Sequence, residues 1–395
     1  MSTIGVASTV RRLRPSAVAS LFCSFLETLT EHVRSSHGIA AMLLGSFGML
    51  YSPRQSDTGL KALRGQQAHT SCRDRATDSW PGTVIHLRFG TAIYFFARQS
   101  GGRAADRLVW LLALGLIPLA ALTWWRFSFP PAPETVLGGV IEWGSALPGF
   151  INVRHFGSWT GAIAAGLMIQ LAYGEERPRP ATDALYVFAF GLTCWSGTRA
   201  ALVGMAAVAV ITSVSLRRLP SPVRLVRLGG LTAAAYLLAI AFRFDNVDFL
   251  LFVPSDTAGA DAMSGGRLAL WRATLESWSR SPLFGWGSGS TFWEVDIGWR
   301  HTQPHNVILQ YLISWGPFGA IGGLWLLGRL ILATHRAGIT DERLRPLIAV
   351  HYCLIVMSLL EGMLYYPRFI MPIAATFAII LAARGEKDRE RRCQC

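Results

Sequence analysis

Apolar runs separated by short polar, arginine-bearing connections dominate the chain from Leu108 onward. Leu108–Arg126, Ser158–Gly174, Ala184–Trp195, Arg199–Leu216, Gly229–Phe242, His305–Ala333, Leu347–Leu364 and Phe369–Ala383 each read as helix. Several approach the roughly 20 residues that carry a helix across a bilayer. Trp124-Trp125 closes the first run, as an interfacial aromatic belt does, and Gly316-Pro317 interrupts the sixth. A long polar segment, Arg243–Pro304, separates the fifth run from the sixth. Within it, Gly266–Arg280 reads as an amphipathic helix with Ser264 as its cap and Pro282 ending it. The pattern before Leu108 is weaker. Ala17–Leu29 and Gly38–Tyr51 are poor or short, Ser52–Trp80 is polar and basic, and Thr83–Ala97 contains His86 and Arg88. The chain therefore divides into a poorly patterned region, 1–107, with at most two weak spans, and a membrane region, 108–395.

Composition agrees with the pattern. The 395 residues are 51% hydrophobic and 15% charged, with 14 tryptophans; a soluble domain carries about 25% charged residues. The predicted fold class is an all-α polytopic integral membrane protein. It has about 8–11 transmembrane helices and one large periplasmic loop, 243–304, that contains the amphipathic helix. The net charge of +13 does not point to nucleic acid, because most arginines flank apolar runs as they do in cytoplasmic loops. Arg217, Arg218, Arg224 and Arg227 mark one such loop, Arg336, Arg343 and Arg345 a second, and the tail a third. That orientation turns Phe127–Gly157, Ser196–Thr198, Arg243–Pro304 and Tyr365–Arg368 to the periplasm. The basic stretch Ser52–Trp80 breaks the rule. The six cysteines have no zinc-type spacing.

Candidate chemistry gathers on the periplasmic side. Arg267, Trp271, Thr274 and Trp278 recur on one face of the loop helix. The helix is either an interfacial anchor or a phosphate grip, since guanidinium offers bidentate, permanently charged hydrogen bonding. Arg199 follows Ser196-Gly197-Thr198 and either snorkels to headgroups or completes a diphosphate clamp. His305 follows Thr302-Gln303-Pro304 at a helix start, and is either a cap of that helix or, because the positive helix end disfavours an imidazolium, a ring able to accept a proton. Asn306 caps that helix or binds a sugar hydroxyl, and His301 is a weaker candidate. Arg154 is a further candidate for holding anionic substrate. Glu361 sits near the periplasmic end of its run, as a functional ionisable group or as a structural partner of Arg368.

Four stretches together resemble the O-antigen ligase and polymerase superfamily of bacterial membrane glycosyltransferases. They are Ser196-Gly197-Thr198-Arg199, Gly266-Arg267 with Trp271, Pro282-Leu283-Phe284-Gly285-Trp286-Gly287, and His305-Asn306 with Gly316 and Gly319. The resemblance covers roughly Gly149 to Ala383. It implies transfer of glycan from an undecaprenyl-diphosphate-linked donor at the periplasmic face of the inner membrane, without metal or other cofactor. Arg199 and Arg267 would bind the diphosphate leaving group, and His305 would activate the acceptor hydroxyl in an inverting displacement. Arg154, Asn306, Trp271, His301 and Glu361 would line the substrate site. Lipid A–core is the acceptor for a ligase and another carrier-linked glycan for a polymerase; a protein O-glycosyltransferase is a third possibility, and a polysaccharide or lipid transporter the reading outside enzymes. The chain departs from the family at its start, where several clear spans are expected ahead of Leu108. This predicts a divergent, truncated or frame-shifted beginning.

Overall fold

The computed structural model describes residues 91–95, 97, 103–129, 136–137, 140–141, 150, 153–174, 180–242, 266–287, 303–339 and 341–393. The expectations for residues 1–90, for His301, for the Ser264 cap and for most of the 243–304 loop lie outside them. The described chain is helical. Its helices are α1 (Arg103–Ser128), α2 (Val153–Tyr173), α3 (Pro180–Trp195), α4 (Arg199–Leu216) and α5 (Pro222–Ala241), then α6 (Arg267–Ser279), α7 (Val307–Ile339), α8 (Arg345–Met357) and α9 (Pro367–Cys393). The only strands among the described residues form a two-residue antiparallel ladder that pairs Val136 with Ile141.

Four of these helices are long and apolar enough to cross a membrane: Leu108–Ser128, Arg199–Leu216, Pro222–Ala241 and Val307–Gly338. Their outward faces carry Leu111, Val210, Val226, Leu237, Phe318 and Trp325, which suits contact with lipid tails. The protein is thus an all-α polytopic membrane protein. The other helices differ for physical reasons. α2 is buried along most of its length and is built from Gly, Ala, Ser and Thr as much as from large aliphatics. Small side chains let neighbouring backbones approach where hydrophobicity gives no driving force between helices. α8 has 13 residues, and α9 carries the charged tail in its last turns.

α2 is the axis of the bundle, packed on α3, α4 and α8. Thr160 hydrogen-bonds Thr193 across α2 and α3 at 2.9 Å, and Tyr173 meets Ser213 of α4 at 2.5 Å. One end of the bundle is tied by arginines. Arg224 donates to the terminal α2 carbonyl of Ala172 at 3.2 Å, and Arg227 pairs with Asp183 at the start of α3. At the opposite end, the start of α2, the α3–α4 turn, the start of α7 and the turn after α8 come together. Thr198 donates to the Arg154 carbonyl at 3.4 Å, and the Val307 amide donates to the Ser358 carbonyl at 2.9 Å.

Two sequence expectations are corrected in detail, and the start of α6 is defined. α5 begins at Pro222, with Ser221 as its cap, rather than at Gly229, so Arg224 and Arg227 belong to the helix. The run Leu347–Leu364 is not one helix: α8 stops at Met357, and the chain turns through 358–366 before α9. α6 is capped by Gly266 itself, at φ 76°, with no side-chain cap bond.

The Pro282–Gly287 and Gly316–Gly319 motifs fit against each other. Trp286 and Gly287 donate their backbone amides to the Ile313 and Ser314 carbonyls at 2.7 and 2.9 Å. Gly316 has φ 66° and ψ −175°, a non-helical break that divides α7, and Gly285 has φ 64°. A Cβ at Gly316 would overlap the Leu283 carbonyl, so both the dihedral and the close approach require glycine there. Pro317 reinforces the break by removing a helix donor. The interlock fixes the end of α6 against the first half of α7, and therefore fixes Arg267 relative to His305.

Candidate functional site

Arg267, His305 and Glu361 meet at the end of the bundle where α2, α6, α7 and the 358–366 turn converge. Arg267 opens α6. Its Nη2 pairs with Glu361 Oε1, while the guanidinium stays about a fifth exposed, at 21%, and the carboxylate is 3% exposed. His305 Nδ1 lies 3.1 Å from Glu361 Oε2. One buried carboxylate thus joins a cation on α6 to an imidazole before α7.

Burial by itself would raise the Glu361 pKa. The hydrogen bond from His305 and the charges of Arg267, His305 and Arg154 outweigh it and hold the carboxyl below its ordinary value. An ionised carboxylate can only accept, so His305 Nδ1–H donates the hydrogen bond to it. The expected pairing of Glu361 with Arg368 is not the arrangement found. Glu361 faces Arg267 and His305, and the Arg368 guanidinium lies over the rings of Phe150 and Tyr366 at 5.8 and 5.9 Å.

His305 does not begin the helix, as its position in the sequence suggests. Asn306 is the cap: its Oδ1 accepts from the Ile308 and Leu309 amides at 2.9 and 3.1 Å, and its Nδ2 donates to the Leu359 carbonyl at 3.0 Å. His305 stands one residue earlier in the left-handed region, at φ 54°. A non-glycine residue there costs on the order of 1–3 kcal/mol and persists only where its surroundings over-determine it. The surroundings here are specific. Gln303 is 1% exposed, and its Oε1 accepts the His305 backbone N–H at 3.1 Å. Trp271, one turn along α6 from Arg267, donates its indole N–H to the Pro304 carbonyl at 2.9 Å. Trp278 donates to the Pro282 carbonyl at 3.2 Å, and Thr274 is buried beneath them.

Arg154 and Arg199 are both exposed. Arg154 is in the first turn of α2 and near enough to act electrostatically on Glu361. Arg199 is the first residue of α4, and the Thr198 beside it bonds the Arg154 carbonyl. The fold therefore brings the Arg199 turn against the Arg154 turn, and Arg154 toward the buried carboxylate. His155, next in α2, is buried, with its ring 4.4 Å from that of Tyr366.

Sequence reasoning selected Arg267, His305, Glu361 and Arg154 but did not join them. It missed Gln303, Tyr366 and His155. The signal available for Gln303 was its position just before the Pro304-His305 pair. Nothing in the pattern marked His155 or Tyr366, because their role comes from ring packing between distant segments.

An all-α membrane protein with a buried carboxylate bridging an arginine and a histidine at one end of its bundle is the class that fold and site define. Residues 184–324 match the family model described as O-antigen ligase, which supports the resemblance to the O-antigen ligase and polymerase superfamily and a glycosyltransferase-like enzyme acting on lipid-linked glycan in a membrane. A comparison with curated proteins gives no match. The matched segment contains Arg199, Arg267 and His305. Arg154 lies before it and Glu361 after it, so those two enter the site through tertiary structure alone.

Proposed function

We propose that the protein is an O-antigen ligase-type glycosyltransferase of the bacterial inner membrane. It moves glycan from an undecaprenyl-diphosphate carrier to a hydroxyl of lipid A–core at the periplasmic face. The observation that carries the reading is the Arg267–Glu361–His305 chain beside the arginine-bearing turns of α2 and α4. The positive-inside rule supports the sidedness, because Arg217, Arg218, Arg224 and Arg227 mark the opposite end of the bundle.

In this mechanism Arg199 and Arg267 hold the diphosphate, and Arg154 adds positive charge. His305, oriented by Glu361 through Nδ1, takes the acceptor hydroxyl proton on Nε2. The hydroxyl oxygen forms a bond to the anomeric carbon from the face opposite the carrier. The bond from that carbon to the diphosphate oxygen breaks, and its electron pair stays on the diphosphate. Configuration at carbon inverts, and no metal is required because arginines neutralise the leaving group. Charge grows on the diphosphate as the bond breaks, so fixed cations there stabilise the transition state more than the ground state. A general base contributes about 10²–10⁴-fold to such a step.

The test is complementation in ligase-null and polymerase-null hosts, read as glycan ladders. A ligase restores long capped lipopolysaccharide in the first host. Restoration only in the polymerase-null host, from single repeat units to long chains, assigns polymerisation instead. His305→Ala, inserted at the wild-type level, should abolish transfer; normal ladders with it would reject His305 as the base.

A further inference from the structure

We infer that Gln303 is a positioning residue for the proposed base, a buried clamp that holds His305 in its left-handed conformation and that Gly362 makes room for. The inference rests on the assignment of His305 as the base.

Three observations carry it. The Gln303 side chain closes a ring onto the backbone two residues ahead, where Oε1 accepts the His305 N–H at 3.1 Å. That bond assigns the two ends of the amide and leaves Nε2 facing inward. Nε2 then lies 3.2 Å from His305 Nδ1 and 3.5 Å from the Tyr366 hydroxyl. Since Nδ1–H donates its hydrogen bond to Glu361, the amide donates to Tyr366 and limits rotation of the imidazole by contact. The same glutamine therefore sets both the backbone dihedral and the ring angle of His305.

The clamp is anchored at its far side. The Tyr366 ring packs against buried His155 of α2, and the Arg368 guanidinium lies over the Tyr366 and Phe150 rings. Gly362 supplies the space: a Cβ there would overlap the Gln303 amide itself. Gly362 follows Glu361 directly, so one short turn carries both the carboxylate that orients His305 Nδ1 and the gap that admits the clamp. Pro304 restricts Gln303 to extended backbone, and Trp271 holds the Pro304 carbonyl. A base misplaced by about 1 Å can lose on the order of 10²-fold in rate with its binding groups intact.

The experiment is steady-state transfer by the detergent-purified full chain, with an undecaprenyl-diphosphate-linked repeat-unit glycan as donor and lipid A–core as acceptor. Gln303→Met keeps the volume of the side chain and removes its hydrogen bonds. It should lower kcat by about 10- to 100-fold with the donor KM within about twofold, because Arg199 and Arg267 still bind donor. Gly362→Ala should lower kcat likewise. In a Gln303→Ala background the added methyl has room, so Gly362→Ala should cause no further loss. Wild-type kcat for Gln303→Met overturns the inference, as does a further loss of the Gly362→Ala size in the Gln303→Ala background. A rise in donor KM matching the fall in kcat/KM also overturns it, since that indicates general disruption of the site. Transfer by His305→Ala rejects the base assignment itself; a dead His305→Ala beside a fully active Gln303→Met rejects only the clamp.

Discussion

Glu361 is ionised at the centre of the site, and its chemistry sets what single substitutions do. Glu361→Gln keeps the shape but removes the charge that fixes His305 Nδ1–H and pairs Arg267. Transfer should fall by at least about 10²-fold, and the loss should appear in kcat. A carboxyl held below its ordinary value of 4.5 stabilises the fold above that value, and the contribution is lost as pH falls through the lowered folded value. Thermal unfolding of the purified protein should therefore show a loss of stability below about pH 4.5 that is reduced in Glu361→Gln. Arg267→Ala should be more damaging to stability than Arg199→Ala, because only the first leaves a buried charge without its cation, an effect of about 3–5 kcal/mol when one partner of a buried pair is removed. At this scale the sequence nominated Arg267, His305 and Glu361 by residue type and by the side of the membrane that the loop charges predict. It could not identify their pairing, since Glu361 lies 94 positions from Arg267 and 56 from His305.

The helices themselves follow from apolar periodicity, and their ends are where that signal weakens. α4 is found at its expected limits, Arg199–Leu216, because a turn and a basic loop bound it clearly. α5 starts early because Ser221 and Pro222 are a good cap and first turn, which outweigh the basic character of Arg224 and Arg227. The end of α8 at Met357 was not legible because the 358–366 turn is nearly as apolar as a helix. Only its tertiary bonds distinguish it, among them Val307 N–H to the Ser358 carbonyl and Asn306 Nδ2 to the Leu359 carbonyl. The interlock between Pro282–Gly287 and the α7 break gives a prediction for this scale. Gly316→Ala combines a positive φ with overlap on the Leu283 carbonyl, and should cost more than about 1 kcal/mol. The expected outcome is a lower midpoint in a thermal scan and reduced transfer. A spatially remote helix control, Gly229→Ala, meets open space and should leave both unchanged.

For the whole molecule, the decisive property is that the described candidate groups are at one end of the bundle and the arginine ties of Arg224 and Arg227 are at the other. The proposed sidedness predicts the accessibility of single cysteines. With the native cysteines replaced, Ser279→Cys on exposed α6 should react with a membrane-impermeant maleimide in intact spheroplasts. Arg218→Cys should react only after the membrane is opened. The opposite pattern would reverse the orientation and remove the periplasmic assignment.

The sequence by itself determined the class of the protein. Apolar runs of spanning length, few charges and arginines at the run ends leave the backbone no alternative to helices in a bilayer, where every amide must be satisfied within its own segment. It also nominated the arginines and the histidine, because permanent cations and a potential base are recognisable one residue at a time. Only tertiary structure decided how they act together. The buried turn after α8 sets a carboxylate between Arg267 and His305, the Gly316 break fixes α6 against α7, and Gln303 holds His305 at a positive φ. The first two are contacts between segments far apart in the chain and the third is a local side-chain bond to the backbone, and hydrophobic periodicity carries no record of either kind.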